Sequence, residues 1–513
     1  MTRPTFNLID EPWIGAVNHE GTLQEYSLSE LLIRAHELSG LYDDSPLVVA
    51  ALLRMILALL HRVHDGPRNR SEWQALWQAR QFDASRLDAY FDKWRDRFDL
   101  FDREHPFYQT IDAGSDGQEK LISTLMPELA TGNNATLFDH TTDANDITLS
   151  CAEVARTLVA AQSFGLAGPC NPKLKLYFTD GTSARGIIFM AEGDSLFETL
   201  MLNLIEYPSP RFFGNGTKDR PAWEMDSPFH PDREIPLGYV DYMTWQNRRV
   251  LLIPQQSGTD VVVRTMALTP GLKLEASVMD RDPMKHYRID DKRGHISKRF
   301  NENRAMWRDS ATLLRLNATD QQVPAVFDWL ARLAGSPRPV LDESLSLRYM
   351  ALGMASDQAK VEFFRSEHLP VPLTYLDDPR LVDLLSIALA AAENVASELW
   401  KATGTMASVL LAPDEDSERR ANPDDVRDLR ANMGAERRYW SMLEPIFRET
   451  MQSIPLQGSE AIVDWFGWLR RTAWHAFDEV SDGLGDDPRA LKAAVRGREQ
   501  LARGLGKVLK IED

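Results

Sequence analysis

The chain has 513 residues, and its 58 Lys and Arg against 76 Asp and Glu give a formal net charge of −18. Hydrophobic residues make up 43% and charged residues 26%, which argues against a disordered or fibrous protein. The acidic balance disfavours a protein that coats nucleic acid with its whole surface, but it allows a local basic patch. Cys151 and Cys170 are the only cysteines, too few for a disulfide framework or a four-cysteine zinc site. No apolar run of about 20 residues and no signal-peptide pattern is evident, so we predict a soluble, cytoplasmic protein.

The first hundred residues predict a small sheet followed by helices. Apolar runs bounded by turn residues predict strands over residues 6–9, 13–17 and 23–26. Ser27 is predicted to cap a helix that carries Leu28, Leu31 and Leu32, with Glu30 in the position of a capping box. The almost wholly apolar stretch 47–60 predicts a buried helix, and the tryptophan-rich stretch 73–98 predicts further helix.

The middle of the chain predicts mixed elements. We expect a hairpin formed by residues 174–178 and 187–190, and a helix over 196–205. Six prolines between residues 207 and 236 predict a long loop packed on the domain. Short strands are then predicted over 250–253, 261–263 and 272–278.

Beyond residue 376 the pattern becomes purely helical. Apolar residues recur at helical spacing over 381–399, 439–447, 462–477 and 488–508, the last including Leu491, Val495, Leu505 and Val508. Four such helices predict an antiparallel bundle, and Pro370 and Pro372 mark the boundary before it. We therefore predict an α+β protein, with a large mixed α/β domain over residues 1–372 and a four-helix bundle over 373–513.

Motifs for catalysis are scarce. The chain has no phosphate-binding P-loop, no nucleophile elbow and no His-Glu-x-x-His motif. His61 and His64 could share one helix face beside Asp65, a pattern that leaves open a metal-dependent nuclease. Further ligands cannot be named, so we expect no catalytic residue, no metal and no cofactor.

One segment carries an excess of positive charge. Between residues 281 and 308 nine basic residues stand against four acidic ones, an excess of five in an acidic chain: Arg281, Lys285, Arg288, Lys292, Arg293, Lys298, Arg299, Arg304 and Arg308. Aromatic rings and a histidine are interleaved, as in surfaces that bind phosphates. A solvated charged hairpin in a scaffold that binds only proteins is the alternative. Either interpretation indicates a binding or assembly protein rather than an enzyme.

Two short motifs carry a family resemblance. Residues 6–14, Phe-Asn-Leu-Ile-Asp-Glu-Pro-Trp-Ile, and residues 104–110, Glu-His-Pro-Phe-Tyr-Gln-Thr, resemble signatures of the CasA family, the large subunit of the type I-E CRISPR surveillance complex Cascade. Weaker similarity extends nearly end to end, including Ala-Glu-Arg-Arg-Tyr-Trp at 435–440. The resemblance implies an N-terminal α/β domain and a C-terminal bundle within an RNA-guided antiviral complex.

The resemblance also implies a function without catalysis. The family subunit touches the 5′ end of the guide RNA, recognises the protospacer-adjacent motif (PAM) in double-stranded target DNA, helps to open the duplex and recruits a separate helicase–nuclease. The implied partners are the backbone subunits, the small-subunit dimer and the handle-binding subunit. In such a complex, base pairing with the guide RNA recognises the target sequence, and the protein recognises only a short motif.

Three loops of the family can be placed on this chain. The guide-handle loop corresponds to residues 130–138, with Asn133, Asn134 and Phe138 as candidate contacts. The glycine-rich loop that approaches the minor groove corresponds to Gly165, Leu166, Ala167 and Gly168. The wedge loop corresponds to Asp357, Gln358 and Ala359, where the flat amide of Gln358 would replace a base in the stack.

Other positions are expected to support these loops. Lys273 is the candidate for the family's minor-groove lysine, and Lys292, Arg293, Lys298 and Arg299 form the candidate basic patch. Asp357 replaces an asparagine of some members, and a carboxylate only accepts hydrogen bonds, so the contact expected there changes. A cysteine cluster of some members is absent around residues 255–264, so no zinc is expected.

Overall fold

The computed structural model describes residues 4–126, 147–208, 218–335, 339–342, 345, 347–357, 360–412 and 421–510. The chain divides into two units. The first comprises Met1–Met306 and Leu316–Leu369, and the second comprises Trp307–Arg315 and Pro370–Asp513. The segment Trp307–Arg315 thus groups with the C-terminal helices, although it precedes the second boundary by more than fifty residues.

The first unit contains the strands and the shorter helices. Its strands are β1 (Ile14–Asn18), β2 (Leu23–Tyr26), β3 (Leu38–Leu41), β4 (Gln118–Leu121), β5 (Leu149–Ser150), β6 (Gly168–Asn171), β7 (Leu176–Phe178), β8 (Ile188–Glu192), β9 (Arg248–Ser257), β10 (Asp260–Pro270), β11 (Tyr287–Asp290), β12 (Gly294–Ser297), β13 (Gln321–Gln322), β14 (Arg348–Asp357) and β15 (Lys360–Pro370). Its helices are α1 (Leu28–Ile33), α2 (Pro46–His64), α3 (Arg70–Ala79), α4 (Ala84–Trp94), α5 (Ala113–Asp116), α6 (Cys151–Phe164), α7 (Leu196–Asn203), α8 (Tyr239–Met243) and α9 (Ala276–Met279), and the later α11 (Ala325–Ala334) also belongs to it.

Several small sheets organise this unit. The strand orders are β2-β1-β3, β4-β10-β5 with β9 paired to β10, β12-β11-β13, β15-β14-β8, and β6-β7. The hairpin of β9 and β10 is antiparallel and pairs Asp260 with Ser257 at one end and Pro270 with Arg248 at the other. Arg248, the first residue of β9, contacts the predicted glycine-rich loop through a hydrogen bond to Leu166 O.

The helix α2 is the core of the first unit. By length and composition it is apolar enough to cross a membrane, but most of it is buried inside the protein. Arg54 lies in its middle with no exposed surface, and its Nη1 donates to both carboxylate oxygens of Asp282, at 3.2 and 3.0 Å. A buried charge is costly unless it is paired, and here the pair ties α2 to the base of the basic segment.

Two predicted strands and the pairing of one predicted hairpin are wrong. Residues 6–9 form a turn with a single bridge from Asn7 to Asp99, because the Asn7 side chain accepts from the backbone N–H of Ile9. The predicted hairpin does not form: β7 pairs with β6, and β8 pairs with β14. Residues 272–278 contribute Leu272 and Leu274 to a buried cluster without forming a strand. Apolar patterning shows that a segment is buried but not which distant strand it pairs with.

The second unit is helical throughout its described part. Its helices are α10 (Ser310–Leu314), α12 (Thr374–Asp377), α13 (Pro379–Leu411), α14 (Pro423–Met433), α15 (Ala435–Gln457), α16 (Ser459–Asp482) and α17 (Pro488–Val508). In the described part of the chain, α13, α15, α16 and α17 are the long helices of this unit. The apolar faces predicted for α13, α15 and α16 are buried. The predicted fold class, a mixed N-terminal part with a C-terminal helical bundle, is confirmed.

The buried face of α17 differs from the prediction. Leu491 and Val495, expected inside, are 53% and 56% exposed. The buried face instead consists mainly of small residues: Ala490, Ala493, Gly497, Leu501, Gly504 and Leu505. A Cβ at Gly497 would lie 2.4 Å from the Cγ of Met406 on α13, so small residues allow α17 to pack closely on α13.

Candidate nucleic-acid interface

The predicted glycine-rich loop joins α6 to β6. Gly165 ends α6, with its N–H donating to Ala161 O at 2.9 Å. The loop is held against residues 180–181: Gly181 N donates to Gly165 O at 2.7 Å, and Ala167 N donates to the Asp180 carboxylate at 2.8 Å. The loop backbone is therefore held from one side.

Arg248, at the start of β9, supports the same loop from beneath. Its side chain donates to Leu166 O at 2.6 Å and to Thr179 O at 2.9 Å, and its guanidinium carbon lies 4.5 Å from the centre of the Phe178 ring. Only 5% of Arg248 is exposed, and burial lowers its pKa to about 10. A Cβ at Gly165 would approach this guanidinium to 2.7 Å, so glycine is required there for close approach.

A cavity of about 410 Å³ lies beside the loop. Its wall includes Gly181, which is bonded to Gly165, and Leu274, which follows the predicted lysine Lys273. Arg299 of the predicted basic patch also lines it. Of the predicted loop, lysine and basic-patch residues, Arg299 lines the cavity, whereas the glycine-rich loop and Lys273 adjoin it through Gly181 and Leu274.

A buried charged network closes one side of this cavity. Lys285, which also lines the cavity, is buried, and its Nζ donates to Thr182 O at 2.6 Å and lies 3.9 Å from the Asp282 carboxylate. Burial lowers the pKa of Lys285 to about 8, although Asp282 opposes the shift. Tyr242 adds a hydrogen bond of 3.2 Å to Asp282, the same carboxylate that pairs with Arg54.

The basic segment itself is partly exposed and partly buried. Lys292 and Arg293 form the exposed turn of the β11–β12 hairpin, and their backbone N–H groups both donate to Asp290 at 3.0 Å. These bonds lower the pKa of Asp290. Lys298 is half-buried and Arg299 is exposed. Of the nine basic residues of the segment, Lys285 is buried, and the Arg308 guanidinium binds Glu393 at 2.8 Å within the second unit.

The other predicted site residues lie as follows. Lys273 is exposed, with its Nζ 3.9 Å from Glu234. Asp357 ends β14. Gln358 and Ala359 of the wedge loop, and Asn133, Asn134 and Phe138 of the guide-handle loop, lie outside the described residues. Their assignments stay predictions.

The alternative nuclease site is not assembled. His61 is buried, with Nδ1 2.9 Å from Gly66 O, and its ring packs against Tyr207 and Tyr239. His64 packs instead against Phe82, and Asp65 forms an ion pair with Arg68. Across the described ranges, no group of three or more His, Cys, Asp and Glu is arranged to hold a metal ion.

The second signature motif is structural. Gln109 Nε2 donates to Leu100 O at 2.8 Å, and its Oε1 accepts from Leu252 N at 2.9 Å, which links the motif to β9. Sequence reasoning missed three residues of the site: Arg54, Asp282 and Arg248. An arginine inside an apolar helix is a detectable signal of a buried pair, but no pattern in the sequence marks Arg248.

Comparison with known proteins identifies the family of this chain. The family model for CRISPR-associated protein Cse1 matches residues 7–476. The CRISPR-associated protein CasA/Cse1 of Thermus thermophilus is 34% identical over 98% of both chains. The solved structure of Cse1 from Acidimicrobium ferrooxidans is 26% identical with a TM-score of 0.84 over 99% of both chains. A chain of a CRISPR RNA-guided surveillance complex is 25% identical, with a TM-score of 0.75 over 97% of this chain and all of its own. The resemblance seen in the two motifs is confirmed, and the chain belongs to the CRISPR-associated Cse1 (CasA) family.

Proposed function

We propose that this protein is the large subunit of an RNA-guided surveillance complex that recognises a PAM in double-stranded target DNA. In this proposal it promotes opening of the duplex, contacts the 5′ end of the guide RNA and recruits a separate helicase–nuclease. The subunit works in the cytoplasm with the other subunits of a type I-E complex. Support for assembly comes from the similar chain found in a CRISPR RNA-guided surveillance complex.

The observation that carries DNA recognition is the arrangement around the cavity. A loop with close backbone approach, an exposed lysine and an exposed basic hairpin are grouped on one part of the first unit. Cations position a protein on the phosphates, whereas backbone groups and small side chains reach the base edges in a groove. These segments together are suited to reading a short motif in a duplex.

Binding by the assembled complex tests the proposal. The complex with guide RNA is incubated with duplexes that share one target sequence but differ in the adjacent three base pairs. We expect affinity to depend on those base pairs, and Lys273→Ala to reduce that dependence, while Lys93→Ala, an exposed lysine on α4, leaves it unchanged. Equal affinity for all motifs in the unmodified complex would contradict the proposal.

We propose further that the subunit cleaves no DNA itself. This proposal rests on the different surroundings of the three candidate residues, since His61, His64 and Asp65 each contact a different partner. Labelled DNA incubated with the pure protein and Mg²⁺ or Mn²⁺ should remain intact. Cleavage that disappears in His64→Ala would establish the nuclease alternative instead.

A further inference from the structure

The cavity beside the glycine-rich loop has the size and chemistry of a ligand site. Its volume of about 410 Å³ lies within the range usual for sites that bind small molecules. We propose that it binds one nucleotide extruded from the target duplex as the duplex opens beside the loop. This inference rests on the proposed function and deepens it by assigning a place to the displaced base.

The charges of the wall favour a group that carries a phosphate. Asp180 is already engaged by Ala167 N and by Arg185 Nε, at 2.8 and 2.5 Å, so this acid and Arg185 neutralise each other. Of the other charged groups of the wall, Lys285 is buried beside Asp282, and Arg299 and Asp280 are exposed. A phosphate at the exposed side of the cavity would meet Arg299.

The rest of the wall is suited to a base. Leu274, Met279 and Ile296 supply apolar contacts. The His295 ring stands edge-on to Tyr287, with ring centroids 5.9 Å apart, and both residues line the cavity. Bases are held by apolar and aromatic side chains together with hydrogen bonds to their polar edges, and Asp280 offers an acceptor for an amino group.

The position of the cavity explains how a nucleotide would reach it. Gly181 belongs to its wall and is bonded to Gly165 of the loop that approaches the duplex. A base released next to that loop needs to rotate about its backbone rather than travel along the protein. Capture of the base would offset part of the free energy of stacking and pairing that the first base pair forfeits when it opens.

A double-mutant cycle between protein and DNA tests the proposal. Ala276 is exposed and lines the cavity, so Ala276→Phe fills the cavity from a position that tolerates a larger side chain. Its exposed neighbour Ser277 is not part of the wall, and Ser277→Phe is the matched control. Opening rates are measured in the assembled complex on duplexes that carry a single abasic nucleotide at each of the first positions beside the motif.

We expect Ala276→Phe to slow opening of the intact duplex about tenfold and to have no effect when the captured position is abasic. Ser277→Phe should match the unmodified protein on every duplex. Effects of Ala276→Phe that are equal at all abasic positions would overturn the proposal. Free deoxynucleoside monophosphates could also occupy the cavity. If they compete for it, if Ala276→Phe abolishes that competition, and if the abasic position has no effect on opening, the duplex is not the source of the bound nucleotide. If the unmodified complex opens no duplex, the proposed function fails rather than the cavity assignment.

Discussion

Arg248 is a buried cation whose guanidinium binds backbone carbonyls. A buried arginine is usually paired with a carboxylate, yet within the described chain no acidic oxygen forms an ion pair with this one. Its hydrogen bond to Leu166 O fixes the backbone of the glycine-rich loop and places a positive charge beneath it. The residue therefore positions the loop and need not touch DNA.

Replacing Arg248 with methionine should loosen the loop. Arg248→Met leaves the carbonyls of Leu166 and Thr179 without this donor, and we expect the free energy of unfolding to fall by about 3 kcal/mol. Discrimination between motifs should fall about tenfold, while affinity for non-specific DNA stays unchanged. The neighbouring Arg249, which pairs with Asp116, provides the control Arg249→Met. A folded Arg248→Met complex with full motif discrimination would show that the residue acts only on stability.

His64 makes the protein sensitive to acid. Burial lowers its pKa from an ordinary value of 6.5 to about 4, and neither ring nitrogen has a hydrogen-bond partner in the described structure. The unfolded chain therefore binds a proton at higher pH than the folded protein does. Stability decreases as pH falls from 6.5 to 4, by about 3 kcal/mol for this residue.

His64→Phe should remove that decrease. Denaturant unfolding at pH 7 and pH 4.5 measures it, and we expect the variant to lose less stability than the unmodified protein between the two values. Burial also lowers the pKa of His61 to about 4, so His61 still contributes to the loss of stability at low pH in the variant. An unchanged pH dependence in His64→Phe would mean that His64 is solvated in the folded protein.

Among the elements, the β11–β12 hairpin and the two residues that follow it carry the predicted basic patch. Reversing the charge at Lys292, Arg293, Lys298 and Arg299 should weaken DNA binding by the assembled complex for every sequence. The plot of log affinity against log salt concentration should flatten by roughly one unit for each phosphate that the hairpin no longer neutralises. Lys93→Glu serves as a control outside the hairpin. A slope identical to that of the unmodified complex would show that the hairpin is a solvated surface that contacts no phosphates.

The helix α17 offers a matched pair of glycines. A Cβ at Gly497 would meet Met406 at 2.4 Å and Phe477 at 3.0 Å, whereas a Cβ at Gly506 would meet nothing within 4 Å. Both changes to alanine gain the same helix propensity, so the difference between them reports packing. We expect Gly506→Ala to raise stability by about 0.5–1 kcal/mol and Gly497→Ala to lower it by about 1–3 kcal/mol. Equal unfolding midpoints for the two variants would contradict the close packing of α17 on α13.

The elements also show what sequence patterns can predict. The helix α1 is predictable together with its cap, because the Ser27 side chain accepts from Glu30 N within one turn of chain. The pairing of β8 with β14 is not predictable, because the paired residues Leu352 and Ile188 are far apart in sequence and no local pattern specifies the partner strand. The exposed side of α17 is easily mistaken for the buried one because small residues, which fill that interface, carry no strong apolar signal.

For the whole molecule, the family followed from two motifs and the fold class from apolar patterning, but the site followed only in part. The loop at Gly165, Lys273 and Arg299 could each be selected from the sequence, yet only tertiary packing brings the loop-bonded Gly181, Leu274 beside Lys273, and Arg299 to one cavity. Lys285 has the sequence context of a surface cation and is buried, because Asp282 and Thr182 O provide partners that no spacing rule reveals. The role of Gln358 as a wedge stays a prediction.

Opening of a linear duplex by the assembled complex, compared between the unmodified protein and Gln358→Ala, tests most directly whether this subunit opens DNA. A wedge acts when the first base pairs separate, so the variant should slow opening of a linear duplex that carries the motif. Targets already unpaired beside the motif, or negatively supercoiled, should be opened at the unmodified rate because their opening cost is partly met in advance. Equal rates for both proteins on the linear duplex, together with opening that does not depend on the motif, would contradict the proposal that this subunit reads the motif and opens the DNA.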